Sequence, residues 1–221
     1  MKISKPNITY MKKILTISFL FMCLSFNAQE FQIENKAIVG NFDISNKTKS
    51  EIFASINNWI SLNYNNSKDV QLNDLETGKI IIKGTNIISY KSMASSLDPN
   101  NKNIPEYSSL KFNHLIEINI NNNGYKIIYT LVDLVSENVG KNNLFFNCIN
   151  LNHNNEIAIR EYNKQNDLFL IEALVRKKKR GDYRALARPM FKDINNTLLF
   201  DLKQTMAFIE QSVSNSNKIE L

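Results

Sequence analysis

Three side chains beyond residue 28 could act as soft metal ligands: His114, His153 and Cys148. A zinc site takes three or four such ligands at a recognisable spacing, and these three show none. His114 falls within an alternating apolar run, which fits a hydrogen-bonded core histidine better than a ligand or a base. His153, in Leu151-Asn152-His153-Asn154-Asn155, reads as a loop residue. The six glycines, at positions 40, 78, 84, 124, 140 and 181, are too scattered for a dinucleotide fingerprint or a phosphate-cradling loop. No Gly-x-Ser-x-Gly elbow occurs, and Cys148 has no local signature of a nucleophile. Carboxylates are the catalytic groups left open, because a fold can pair two acids that share no spacing in sequence. Glu117 and Asp133, on adjacent expected strands, would be such a pair. No catalytic, metal-binding or cofactor-binding residue is assigned, and no cofactor is expected.

One local feature does stand out. Arg176-Lys177-Lys178-Lys179-Arg180, followed by Arg184 and Arg188, sets seven basic residues against Asp182 alone, a local charge of +6. Such a segment can attract an anionic surface, lipid headgroups or a polyanionic glycan, at about 1 kcal/mol per basic side chain near an anionic membrane. The plainer reading is a solvated loop or strand end before Pro189. Tyr183 is the sole aromatic in the segment, which gives little for nucleobase stacking, and nucleic acid is not expected as a partner.

The availability of partners depends on where the chain goes. From Met11, Lys12 and Lys13 lead into an apolar stretch from Ile14 to Phe26, the layout of a cleavable signal peptide. At about 13 residues, roughly 20 Å as helix, the stretch falls short of the ~20 residues needed to cross a bilayer. Ala28 supplies the small residue before cleavage, so residues 1–28 are expected to be removed and the mature chain to start at Gln29. Met11 is an alternative start, residues 1–10 then being an extension. Cys23 does not read as a lipidation site, since the residue before it is Met22 rather than a small one; it is one more apolar residue of the stretch. Export to the periplasm, the outer-membrane periphery or the medium follows, with no transmembrane helix after cleavage.

Loss of Lys2, Lys5, Lys12 and Lys13 lowers the formal charge from +6 to +2, so much of the basicity belongs to the export signal. The mature chain apart from the basic segment is then −4. Cys148 would be the sole remaining thiol, which rules out an intramolecular disulfide and leaves stability to an apolar core.

The elements that would position these residues read as follows. Phe31 to Phe42 alternates loosely around Phe31, Ile33 and Val39, as a strand does. Thr48 and Glu51 form a capping box, and Ile52, Phe53, Ile56, Trp59 and Ile60 then recur at helical spacing to about Tyr64. Val70 to Leu72 and Lys79 to Lys83, the latter continuing toward Tyr90, read as strands joined at Glu76-Thr77-Gly78. Ser92 to Ser109 reads as a polar loop. Leu110, Phe112, His114, Ile116, Ile118 and Ile120 share one face of a strand, Asn123-Gly124 suggests a tight turn, and Tyr125 to Val135 returns as the partner. Leu144 to Ile149, Ile157 to Arg160 and Leu168 to Val175 read as further strands. A helix is expected after Pro189, striped by Phe191, Ile194, Leu198, Leu202, Met206, Ile209 and Val213. The sum is an α+β domain: an antiparallel sheet with two main helices on one face, the other face wet or covered by the loosely patterned region.

Several segments carry a family resemblance: Lys49-Ser50-Glu51-Ile52-Phe53 through Trp59-Ile60, Asn65-Asn66-Ser67-Lys68-Asp69-Val70, Thr77-Gly78-Lys79-Ile80-Ile81-Ile82-Lys83-Gly84, and Gly124-Tyr125-Lys126 entering a strand that ends near Asp133. On these residues the chain resembles the domain-of-unknown-function family forty-four sixty-eight, exported bacterial proteins with a fold like that of the TATA-binding protein. The resemblance spans roughly Phe31 to Val135 and implies a TATA-binding-protein-like α+β domain over 29–135. Residues 136–188 are then an extension or insertion bearing the basic segment, and 189–221 a C-terminal helix packing on the same domain. It brings no catalytic residues. DNA binding by the namesake fold uses a repeated saddle, and this chain carries one copy. The expected function is a non-catalytic, exported binding module of the cell envelope whose partner is an envelope protein, a glycan or an anionic lipid surface. The alternative is a carboxylate-dependent hydrolase acting outside the cytoplasm.

Overall fold

A computed structural model of the chain describes residues 31–64, 69–135 and 139–215, and for 139–142 the backbone alone. The expected signal peptide, 1–28, and the stretch Asn65 to Lys68 lie outside the described residues. All of the described residues belong to one compact unit that begins at Phe31.

Alternation of apolar and polar residues builds the sheet. Six antiparallel strands, β1 (Gln32–Ile33), β2 (Ala37–Asp43), β3 (Val70–Asp74), β4 (Lys79–Lys91), β5 (Tyr107–Asn121) and β6 (Gly124–Leu134), lie in the order β1-β2-β6-β5-β4-β3. In β4, β5 and β6 every second side chain is buried: Ile80 and Ile82, then Phe112, His114, Ile116, Ile118 and Ile120, then Tyr125, Ile127, Tyr129 and Leu131. The opposite face carries Lys79, Lys83, Glu117, Asn119 and Lys126, so a one-residue slip would put charge into the core. The β5–β6 turn is Asn122 and Asn123, one residue earlier than Asn123-Gly124, because Asn121 pairs with Gly124. Gly124 opens β6 at φ +149°, where a Cβ would lie 2.0 Å from the carbonyl oxygen of Phe42.

Helix α1 (Lys49–Asn63) has the expected capping box: the Thr48 side chain accepts from the Glu51 backbone N–H, and the Glu51 carboxylate accepts from the Thr48 backbone N–H. It buries Ile52, Ile56, Trp59 and Ile60 on the sheet's apolar face. A short helix α2 (Met93–Leu97) interrupts the expected polar loop; Ser92 caps it by accepting from Ser95 N–H. The β1–β2 region is a hairpin rather than one strand, closed by Glu34 N–H donating to Ala37 O.

Residues 139–215 form three helices, α3 (Val139–Cys148), α4 (Glu156–Glu172) and α5 (Lys177–Asn215), where three strands and one later helix were expected. The apolar runs at Leu144–Ile149 and Leu168–Val175 are short, and short runs suit either structure. What decides is tertiary packing: Ile159 and Leu170, the buried residues of α4, lie eleven apart, three helical turns, and Tyr162, three residues after Ile159, packs on Phe145 and Phe191. Pro189 sits inside α5 instead of at its start. The apolar stripe passes through it, with Ala187 and Met190 buried on either side, so packing outweighs the lost backbone hydrogen bond. α5 then crosses the sheet's apolar face beside α1, and its acids fasten to β4: Asp193 accepts from Lys91 N–H at 2.9 Å and Asp201 from the Asn86 amide at 2.8 Å. Two buried or half-buried lysines satisfy carbonyls near helix C-termini, Lys36 donating to Phe146 O and Ile149 O of α3 and its exit, and Lys47 to Val213 O of α5. The fold is α+β, with α1 and α5 packed on one face of the antiparallel sheet.

Candidate functional site

The basic segment belongs to a helical hairpin. Asn155 starts α4, its side chain accepting from Ala158 N–H, and Glu156 lies in the first turn, where the helix dipole favours an acid. The helix ends in a Schellman motif: Val175 N–H donates to Leu170 O at 2.9 Å and Leu174 N–H to Ile171 O at 3.0 Å. That motif places one residue in the left-handed region, usually glycine. Here it is Leu174, at φ +55°.

Two residues later the chain turns into α5 and runs back along α4. Arg180, Arg184 and Arg188, at four-residue spacing, form a stripe facing the acids of α4. Arg180 Nε lies 3.5 Å and Arg184 Nη2 3.8 Å from Asp167 Oδ1, and Arg188 Nη2 donates to Glu156 Oε2 at 2.7 Å. A cleft of about 680 Å³ runs between the two helices, with Arg160, Asn163 and Lys164 also on its walls. Arg180 additionally donates to Val175 O, which ties the first turn of α5 to the hairpin's closed end.

Of the seven basic residues singled out in the sequence, the structure therefore uses three within the hairpin. The other four, Arg176, Lys177, Lys178 and Lys179, are exposed at the closed end, and among the described residues none forms an ion pair with a carboxylate. Their position works against α5. A helix N-terminus carries a partial positive charge, and a cation there costs about 0.3–1 kcal/mol. No acid stands in the first turn to offset it. These residues are neither loop nor strand end; they are the exposed start of a helix.

Sequence reasoning missed the side chains beside them. Leu168, Phe169 and Ile171 are each about half exposed, and Leu174 is 91% exposed. The available signal was an apolar run, Leu168-Phe169-Leu170-Ile171, followed directly by a basic one. That run was expected to be part of a strand over Leu168 to Val175.

The remaining groups do not converge on a reaction centre. His114 is 3% exposed; its Nε2 lies 3.0 Å from the Tyr64 hydroxyl, and burial holds its pKa down at about 4, with the charge of Asp69 opposing. Gly84, paired across the sheet with His114, makes room for this contact, since a Cβ there would lie 2.7 Å from both the imidazole and the Tyr64 ring. Burial pushes the Cys148 thiol up to about 12, and its Sγ donates to Leu144 O at 3.3 Å. His153 is an exposed loop residue. Glu117 lies 3.1 Å from Lys79 and accepts from the Asn119 amide, which together hold its carboxyl below the usual range, the Asn119 bond foremost. Glu117 pairs with Ile128 and Asp133 with Asn113, so the two acids stand four residues apart measured along β5, roughly 13 Å, too far for shared acid–base work. Among the described residues no helix is long and apolar enough to cross a membrane.

Residues 40–134 match a family model described as a domain of unknown function (DUF4468) with TBP-like fold. Among solved structures, the chain is similar to a TBP-like protein from Parabacteroides distasonis ATCC 8503, at 14% identity and a TM-score of 0.47, covering 81% of this chain and 92% of that one. It is also similar to a DUF4468 family protein from Bacteroides ovatus ATCC 8483, at 14% identity and a TM-score of 0.37, covering 51% of this chain and 62% of that one. No curated protein matches the chain. The α4–α5 hairpin lies beyond the segment that the family model matches.

Proposed function

We propose that the chain, whose residues 40–134 match the model of a domain of unknown function with TBP-like fold, is a non-catalytic, exported module of the cell envelope that docks on an anionic lipid surface through the closed end of the α4–α5 hairpin. The observation that carries this reading is the placement of Arg176, Lys177, Lys178 and Lys179. They are exposed, unpaired with acids among the described residues, and sited where the helix dipole disfavours them. Folding gains nothing from that arrangement, whereas an anionic surface does. The apolar stretch from Ile14 to Phe26 behind Lys12 and Lys13 supports export. The separation of Glu117 from Asp133 and the burial of His114 and Cys148 speak against catalysis.

The test uses protein recovered from its own host's envelope. Its mass is expected to begin at Gln29; a mass that includes residues 11–28 would remove the export part of the reading. Binding to vesicles containing phosphatidylglycerol is expected to fall about a hundredfold when Lys177, Lys178 and Lys179 are replaced by Gln, at about 1 kcal/mol each, with thermal stability unchanged or raised. Binding that ignores both the substitutions and added salt would defeat the docking part.

A further inference from the structure

We infer that the closed end of the hairpin inserts into the membrane, Leu168, Ile171 and Leu174 entering the acyl boundary while Arg176 to Lys179 stay at the headgroup phosphates. This deepens the anionic-surface reading above and rests on it. Single exposed apolar side chains are ordinary on a protein surface, but here four large ones, Leu168, Phe169, Ile171 and Leu174, fall within seven residues at one tip.

Leu174 is the most telling. Its backbone conformation is one that glycine adopts freely and that a leucine Cβ opposes, and its side chain has no burial to compensate, being 91% exposed. Two separate local preferences are thus overridden to present an isobutyl group outward. The Schellman bonds at Val175 and Leu174 hold it there, and Arg180, bound to Val175 O and Asp167, fixes the first turn of α5 against the tip.

Charge complementarity names the occupant. The cations begin two residues after Leu174, and over one turn of α5 they rise about 5 Å along the helix axis. That matches the depth at which an interfacial apolar group sits below the headgroups, about 5–10 Å, with lysine stems able to reach up from the boundary. Glu172 and Asp182 are the remaining acids of this end, against the four exposed basic residues from Arg176 to Lys179. A protein partner would need an apolar pocket ringed by acids; a bilayer containing phosphatidylglycerol supplies both features without a shaped pocket. Apolar and electrostatic contacts together also meet the need for two signals in stable peripheral binding.

The experiment places a reporter at the tip. In protein recovered from the host, Leu174→Trp is expected to be quenched by phosphatidylglycerol brominated near the acyl boundary; the single native tryptophan, Trp59, is buried against the sheet and stays unquenched. Leu174→Gly is expected to be at least as heat-stable as the parent, yet to bind these vesicles roughly tenfold more weakly and to lose the fraction that resists high salt. Salt-sensitive vesicle binding without quenching would overturn insertion and leave the charge reading in place. Binding untouched by Leu174→Gly and by the triple lysine replacement would overturn both. A parent that self-associates without vesicles, and becomes monomeric on Leu174→Gly with no quenching, would make a second copy the occupant and overturn insertion.

Discussion

Two residues with unfavourable settings, His114 and Leu174, show what a sequence does and does not disclose. His114 was legible: alternation along β5 places it on the apolar face, and it is buried there with the Tyr64 hydroxyl on its Nε2. Its lowered pKa has a consequence for stability. In the unfolded chain the imidazole titrates near 6.5, and in the fold near 4, so the unfolded state binds the extra proton between those values. Stability from the neutral ring is therefore complete above pH 6.5 and is lost as pH falls toward 4, by about 3 kcal/mol for a shift of this size. Asp201 and Glu210, whose burial raises their pKa values, act in the opposite sense. The comparison that isolates the histidine is chemical denaturation of the parent and of His114→Gln across that range: the parent is expected to show the steeper loss, and parallel curves would refute it. Leu174 was not legible. A left-handed backbone leaves a trace in sequence when glycine or asparagine occupies it, and a leucine in the same place reads as one more buried apolar residue.

Among the elements, those whose pattern is long and regular were read correctly, and the short apolar runs of residues 144–175 were not. α1 announced itself through Thr48, Glu51 and a stripe of five apolar residues, and β4 to β6 through sustained alternation. α3 and α4 carry only brief apolar runs, so the decisive information is tertiary: Ile159 and Tyr162 meet the core, Leu170 is buried three turns on from Ile159, and Arg160, Asn163, Lys164 and Asp167 between them line the cleft. Pro189 misplaced the start of α5 for the same reason, since Ala187 and the ion pair from Arg188 to Glu156 hold the upstream turns in place. Half of the candidate site was therefore visible as charge, while its hairpin geometry was not. That geometry makes Asp167 a divider between two uses of the basic residues. Asp167→Asn is expected to cost about 1 kcal/mol in stability, as a partly exposed network loses its acid. By freeing Arg180 and Arg184 it should also tighten binding to phosphatidylglycerol vesicles. A simple loss of structure would weaken both properties, so weaker vesicle binding by a folded variant would contradict this division.

The whole molecule is polar in its charge. Residues 29–221 carry a net +2, made up of +6 between Arg176 and Arg188 and −4 elsewhere, and the fold puts the unpaired part of that +6 at one end of a hairpin. α5 alone has 39 residues, about 58 Å of helix, and its C-terminal half is buried against the sheet, so the four exposed cations at its start lie far from that buried half. At about 0.01 M salt, screening extends over roughly 30 Å, and an approaching anionic bilayer acts on the exposed cations from that range and turns the tip toward it. At about 0.15 M the reach is roughly 8 Å, and only molecules that already present the tip are drawn in. Salt is therefore expected to slow association with phosphatidylglycerol vesicles by about tenfold or more over that range. Dissociation, which must withdraw Leu174 and its neighbours from the acyl boundary, should change little. Stopped-flow mixing separates the two rates. Replacing Lys177, Lys178 and Lys179 by Gln should flatten the salt dependence of association and leave the dissociation rate nearer the parent's, whereas Leu174→Gly should do the reverse. If the salt dependence lies in dissociation instead, charge rather than apolar contact holds the protein on the surface, and the division of labour between cations and tip is wrong.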